Sequence, residues 1–205
     1  MTTVISRLFS SYDAARNAVT ELQAAGVPHS DISIVANNSD NWYSKNGSAN
    51  KVDRDRDGTD DRAEGAGAGA GIGAGVGGAA GLLAGLGLLA IPGVGPVVAA
   101  GWLVATAAGA AAGGVTGGII GALTQAGVSD DDAHLYAEGV RRGGTLVTAR
   151  VNDNDASRLE GILDHASLRT SDVRSKYSSS GWKSFDEKAP PYTAEQVREH
   201  RSSWQ

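Results

Sequence analysis

The chain has 205 residues and a mass of 20.8 kDa, which is room for one ordinary domain and additional segments. It contains no cysteine and four scattered histidines, so a disulfide scaffold, a thiol nucleophile and a cysteine-ligated metal site are excluded. The net charge of −5 argues against a nucleic-acid partner, because nucleic-acid binding needs a basic surface. The first residues lack the apolar run of a signal peptide, and none is expected.

A βαβ unit is predicted at the start of the chain, over residues 1–36. Apolar residues within 4–9 indicate a strand, and Ser10 and Ser11 are suited to cap a helix over about 12–25. Gly26 ends this helix. Residues 31–35 alternate between polar and apolar, which predicts a second, half-buried strand.

A polar linker over residues 37–64 contains an acidic loop that fits the twelve-residue calcium-binding pattern. Ca²⁺ prefers six to eight oxygen ligands, and Gly58 permits the sharp turn that such a loop needs. The predicted calcium ligands are Asp53, Asp55, Asp57, the carbonyl of Thr59, Asp61 and Glu64. The flanking sequence lacks the helices of an EF-hand, and three arginines neutralise the loop, so a solvated acidic linker is the alternative.

A run of 65 residues, 65–129, carries no charged side chain. Two prolines and two glycines within 91–96 divide it and predict a turn. The flanking arms, residues 65–90 and 97–123, would each extend roughly 39 Å as helices, which exceeds the hydrocarbon core of about 30 Å. The sequence therefore predicts a membrane-inserting helical hairpin over 65–127. Its turn residues are Pro92, Gly93, Gly95 and Pro96.

Small residues recur at every fourth position of both arms, and in lipid such seams let helix backbones approach closely. The predicted helix-packing seam comprises Gly65, Gly69, Gly73, Gly77, Gly81, Gly85, Gly101, Ala105, Gly109, Gly113, Gly117 and Gly121. We expect it to produce homo-oligomers. A flexible Gly/Ala linker and a buried soluble helical assembly are the alternatives, although the bulky aliphatic residues of this run argue against a linker.

The second half of the chain repeats the βαβ pattern over residues 143–178. A connecting helix is predicted over 128–142, with Ser129 as its N-cap. A strand over 145–151, a helix over 155–166 and a weaker strand over 172–177 follow. The predicted fold class is therefore α+β. It is a split ferredoxin-like domain with both helices on one face, interrupted by the glycine-zipper hairpin.

The C-terminal tail, residues 179–205, contains a capping box from Thr193 to Gln196 that predicts a short helix over 194–201. Its aromatic residues are suited to docking on a subunit or on a lipid interface. A disordered tail is the alternative.

Two resemblances follow from these segments. YDAA (12–15), LQAAG (22–26) and DISIV (31–35) resemble the N-terminal domain of the bacterial heat-induced general stress protein family. GLLAGLGLLAIPGVGP (81–96) and AEGVRRGGTLVTARV (137–151) are similar to the cyanobacterial low-temperature-induced proteins. The resemblances imply association with stress and contact with membranes, and they carry over no catalytic residue.

The sequence shows no catalytic motif, so an enzyme is not expected and no catalytic residue is assigned. The predicted function is a stress-associated membrane protein that self-assembles through its hairpin, in the bacterial inner membrane with both termini cytoplasmic. A soluble or lipid-filled homo-oligomeric particle is the second hypothesis. A regulatory module that senses a ligand or calcium is the third, and calcium is the sole cofactor that the sequence indicates.

Overall fold

A computed structural model describes residues 2–43, 86–112 and 118–204, except for the side chains of 108–112. It is an α+β protein with one five-stranded antiparallel sheet, which confirms the predicted class. The strands are β1 (Thr2–Phe9), β2 (Ile32–Asn37), β3 (Gly87–Ile91), β4 (Gly95–Gly101) and β5 (Thr145–Asn152). The helices are α1 (Tyr12–Ala24), α2 (Trp102–Ala112), α3 (Gly118–Gln125), α4 (Asp130–Arg141), α5 (Asp153–Asp164), α6 (Thr170–Ser179) and α7 (Ala194–Ser202).

The strand order is β1-β5-β2-β4-β3, so β1 and β3 are the two edges of the described sheet. The first βαβ unit is confirmed, because β1, α1 and β2 form with β5 inserted between the two strands. Ser11 caps α1 by accepting a hydrogen bond from the backbone N–H of Ala14, and Gly26 follows it with a φ of 97°. The left-handed conformation at Gly26 ends the helix as predicted.

The predicted strand over 172–177 is wrong, because these residues lie within α6. Val173 and Tyr177 are the buried residues of this segment, and a spacing of four places them on one face of a helix. The split ferredoxin-like fold is therefore not confirmed. Two further strands, β3 and β4, extend the sheet beyond β2 instead.

The predicted helical hairpin is also wrong where the structure describes it. A turn lies at Pro92 to Val94, within the predicted turn, but Gly95 and Pro96 belong to β4. The turn joins β3 to β4 in a β-hairpin rather than joining two helices. Glycine disfavours a helix by nearly 1 kcal/mol relative to alanine, whereas pairing with β2 satisfies the backbone of β4. Gly101 ends β4 with a φ of 100°, and a Cβ there would collide with the carbonyl oxygen of Ile32.

The helices of the charge-free run are short. With 11 and 8 residues, α2 and α3 extend about 16 Å and 12 Å, against a hydrocarbon core of about 30 Å. Among the described residues no helix has the length and apolarity needed to cross a bilayer. This finding overturns the predicted function as a membrane protein built on an inserted hairpin.

Helices cover both faces of the sheet. On one face α1 and α5 pack on alternate residues of β1, β2 and β5, and Phe9, Leu22 and Leu163 are fully buried there. On the other face α2, α3, α4 and α6 pack against Val35, Val97 and their neighbours. The two helices of the predicted domain do lie on one face, but four further helices cover the opposite one.

The connecting helix and the tail helix are confirmed. Ser129 caps α4 by accepting a hydrogen bond from the N–H of Asp132. Thr193 and Gln196 form the predicted capping box of α7. The structure describes the tail over residues 179–204, and α7 lies within it.

Candidate functional site: an apolar cleft beside an open sheet edge

A cleft of about 80 Å³ lies between the β3–β4 hairpin and the helices α2 and α3. Aliphatic side chains and backbone form its walls, and no lining residue carries a titratable group. The lining residues are Val35, Leu89, Ala90, Ile91, Pro92, Ala99, Leu103, Val104, Ala107, Gly118 and Ile119. This cleft is suited to an apolar group and offers no acid, base or nucleophile.

The turn at the end of the hairpin is fixed by the C-terminal segment. Gly93 has a φ of 73°, and a Cβ there would lie 2.8 Å from the ring of Phe185 and from the backbone of Glu187. At Gly95, with a φ of 98°, a Cβ would lie 2.8 Å from Pro191. Both positions need glycine for conformation and for close approach, so the wall of the cleft formed by this hairpin is held in place.

Helix α2, which forms the opposite wall, is anchored to β2 at its first turn. The N–H of Leu103 donates to Ser33 Oγ at 2.9 Å, and Trp102 Nε1 donates to the carbonyl of Asp31 at 3.1 Å. Arg150 lies over the Trp102 ring, 4.8 Å from its centre, and pairs with the Asp31 carboxylate at 2.9 Å. These contacts set where Leu103 and Val104 enter the cleft.

Strand β3 forms one wall of the cleft and is an edge of the described sheet. Leu88 and Leu89 expose 56% and 37% of their surface, and they are the only large hydrophobic residues exposed in the described part of the chain. Leu89 also lines the cleft. Consecutive strand residues point to opposite faces of a sheet, so the two leucines expose apolar surface on both faces of an edge strand, where charged residues are more usual.

A buried ionic cluster lies elsewhere, on α4. Glu138 exposes only 1% of its surface, and its carboxylate accepts from Arg142 Nε at 2.6 Å and from Arg141 Nη1 at 3.4 Å. The Arg142 guanidinium lies 4.2 Å from the centre of the Tyr177 ring. Arg141 lies 4.5 Å from the centre of the Tyr192 ring. We call these five residues the Glu138 cluster.

The Glu138 cluster fastens the C-terminal segment to α4. Arg141 Nη2 donates to the carbonyl of Pro190 at 3.0 Å, and the Tyr192 ring stacks on His200. Burial raises the pKa of Tyr177, although the charge of Arg142 opposes this shift. Because the carboxylate and both guanidiniums are paired within the fold, the cluster is a structural anchor.

Some of the predicted site residues lie within the described residues and others lie outside them. The calcium ligands between Asp53 and Glu64 lie outside the described residues, and among those that are described no group of three acidic or histidine residues could hold a metal. Of the seam, Gly101 ends β4, Ala105 is exposed on α2, Gly109 lies in α2 and Gly121 in α3. The remaining seam positions lie outside the description, so the seam stays a prediction.

The sequence prediction contains neither the cleft nor the exposed leucines, because it places residues 86–90 in a helical arm. A signal for strands is present: a short Pro-Gly turn at 92–93 is followed by the β-branched pair Val97 and Val98. Such a turn between apolar runs is typical of a β-hairpin. The cleft itself has no local signal, since its walls come from five separate elements.

Comparison of the sequence with models of known protein families, with curated proteins and with solved structures finds no match.

Proposed function

We propose that this protein is a non-enzymatic binding protein whose cleft accepts the end of an aliphatic chain. The observation that carries the proposal is the composition of the cleft: eleven residues line it, and all are apolar or glycine. A polar ligand would lose hydrogen bonds to water there without gaining others, whereas an alkyl group would exchange water for aliphatic contacts.

The size of the cleft supports the end of a chain rather than a whole large ligand. Its volume of about 80 Å³ is smaller than the roughly 150 Å³ of an engineered apolar cavity that binds benzene. The cleft is not fully enclosed, since its lining residues Leu89 and Pro92 are exposed. A chain could therefore bury its terminal carbons between α2 and the hairpin while the rest of the ligand stays outside.

The experiment is a titration of the full chain with n-alkanols of increasing length, followed by methyl NMR and calorimetry. Binding in the cleft should shift the methyl signals of Leu89, Leu103, Val104 and Ile119, and affinity should increase with each added carbon until the cleft is full. Each buried CH₂ contributes about 0.8 kcal/mol, which is roughly fourfold in affinity.

A matched pair of variants on α2 locates the binding. Ala107 lines the cleft, whereas Ala105 is exposed on the same helix. Ala107→Leu should fill the cleft and weaken binding at least tenfold, and Ala105→Leu should leave the affinity unchanged. Equal affinities in the two variants, or methyl shifts spread over the whole protein, would refute the proposed function.

A further inference from the structure

The alternation of hydrogen-bonded and non-hydrogen-bonded pairs between β3 and β4 determines which backbone groups of β3 point away from β4. Pro96 has no N–H, and its carbonyl accepts from the N–H of Asn38 at 2.9 Å, so Pro96 faces the β2 side. Ala90 lies opposite Pro96 and therefore points its own N–H and carbonyl away from β4. Since alternate residues point the same way, Leu88 does so as well.

The outward groups of β3 form a short, unprotected edge. Leu88 and Ala90 together present two donors and two acceptors there, and within the described residues no strand pairs with them. The side chains of β3 carry no charge, and neither does any residue from 65 to 129. Charge and proline are the usual means of blocking edge pairing, and the outward positions of β3 have neither.

We propose that β3 is a dimerisation strand that pairs antiparallel with β3 of a second copy of this chain, about a two-fold axis at Leu89. In this register Leu88 of one copy faces Ala90 of the other, and the two outward pairs form four hydrogen bonds. Leu89 faces its own counterpart as a non-hydrogen-bonded pair, with Cα atoms about 4.5 Å apart. The two five-stranded sheets then become one continuous sheet.

Charge and symmetry favour a second copy as the occupant. Because β3 is uncharged, two copies meet there without like charges facing each other. A two-fold contact is closed, so assembly stops at the dimer instead of continuing into a fibre. The β1 edge is a poor partner for β3, because the outward carbonyls of Ser6 and Leu8 already accept from Tyr136 and Leu168.

The test measures the mass of the full chain by light scattering over a range of concentrations. The expected mass is twice 20.8 kDa at high concentration. Ala90→Pro removes one outward N–H without touching the β3–β4 bonds, so its dimer dissociation constant should increase at least tenfold. Ala90→Val keeps the N–H and should dimerise as the wild type does.

A disulfide test checks the register and does not depend on proline being tolerated. The chain has no cysteine, so Leu89→Cys introduces a single thiol that meets its symmetry mate at a distance suited to a disulfide. Under mild oxidation Leu89→Cys should give a covalent dimer quickly, whereas Leu88→Cys should give little, because position 88 faces Ala90 of the partner.

Three results would overturn the dimer. The first is a monomer mass at every concentration, which would mean that the edge is covered within one chain, for example by residues 44–85. The described residues on either side of that segment meet next to β3, since the Tyr43 hydroxyl donates to the carbonyl of Leu86. The second is an unchanged dimer in Ala90→Pro. The third is equal crosslinking of the two cysteine variants.

Discussion

The two edges of the sheet are protected to different degrees. At β1 the carbonyls of Ser6 and Leu8 accept hydrogen bonds from the Tyr136 hydroxyl at 2.9 Å and from the N–H of Leu168 at 2.7 Å. Arg7 adds charge to β1 through its pair with Asp164. At β3 two leucines are exposed, and no described strand pairs with the outward backbone groups. The β1 edge is therefore blocked against pairing with a further strand, whereas the β3 edge is suited to such pairing.

The two edges differ in protection because different elements pack against β1 and β3. Helix α4 packs against β1 and supplies Tyr136, while the segment after α5 supplies Leu168. Helix α4 is in turn fastened to the C-terminal segment by the Glu138 cluster. The β3–β4 hairpin contacts that segment through its turn at Gly93, but β3 keeps its outer side free of it within the described residues. Disturbing α4 should thus weaken the closed edge and leave the open one unchanged.

The largest effect is expected from Glu138→Ala. This change leaves the guanidiniums of Arg141 and Arg142 buried without their carboxylate, which should reduce the free energy of unfolding by about 3–5 kcal/mol. Urea denaturation measures it. Glu160→Ala is the control, because Glu160 pairs with Arg7 at 3.7 Å on the surface and should cost at most about 1 kcal/mol. Equal losses in both variants would show that the Glu138 cluster does not anchor the C-terminal segment to α4.

A smaller loss is expected where α4 meets β1. A Cβ at Gly139 would collide with the side chain of Leu8, so Gly139→Ala should cost about 1–3 kcal/mol through overpacking. Gly161 on α5 has no atom near its missing Cβ, and Gly161→Ala should stabilise the protein by up to about 1 kcal/mol. Adding Leu8→Ala to Gly139→Ala should recover part of the loss. If Gly139→Ala were neutral alone, the close packing of α4 on the Leu8 side chain would be refuted.

The sequence predicts the strands and helices near the β1 edge better than those near the β3 edge. The elements β1, α1, β2, α4 and β5 have local signals: alternation, a serine cap or a glycine stop. The strand β4 has a weaker one, because its Gly- and Ala-rich sequence has no clear period and its strand conformation depends on pairing with β2, about 65 residues earlier. The cleft depends on this distant pairing as well.

A smaller effect is expected from acid, which should reduce the stability of the fold through His200 without changing the β3 edge. Burial and the positive charge of Arg142 lower the pKa of His200, while Glu199 and Glu138 act in the opposite sense and Lys176 lowers it slightly. The unfolded chain therefore binds this proton more readily, near the usual pKa of about 6.5. The contribution of His200 to stability is complete above that pH and is lost as the pH falls through the lower pKa of the folded state.

The variant His200→Phe keeps a ring against Tyr192 and cannot take up the proton. Between about pH 7 and pH 5 the melting temperature of the wild type should fall further than that of His200→Phe. The β3 edge has no titratable side chain, so His200 should not alter the dimer dissociation constant over the same range. An equal fall in the melting temperatures of the wild type and of His200→Phe would show that His200 does not contribute to the loss of stability in acid. A dimer whose pH dependence disappears in His200→Phe would mean that the tail and the open edge are coupled, contrary to their separation in this fold.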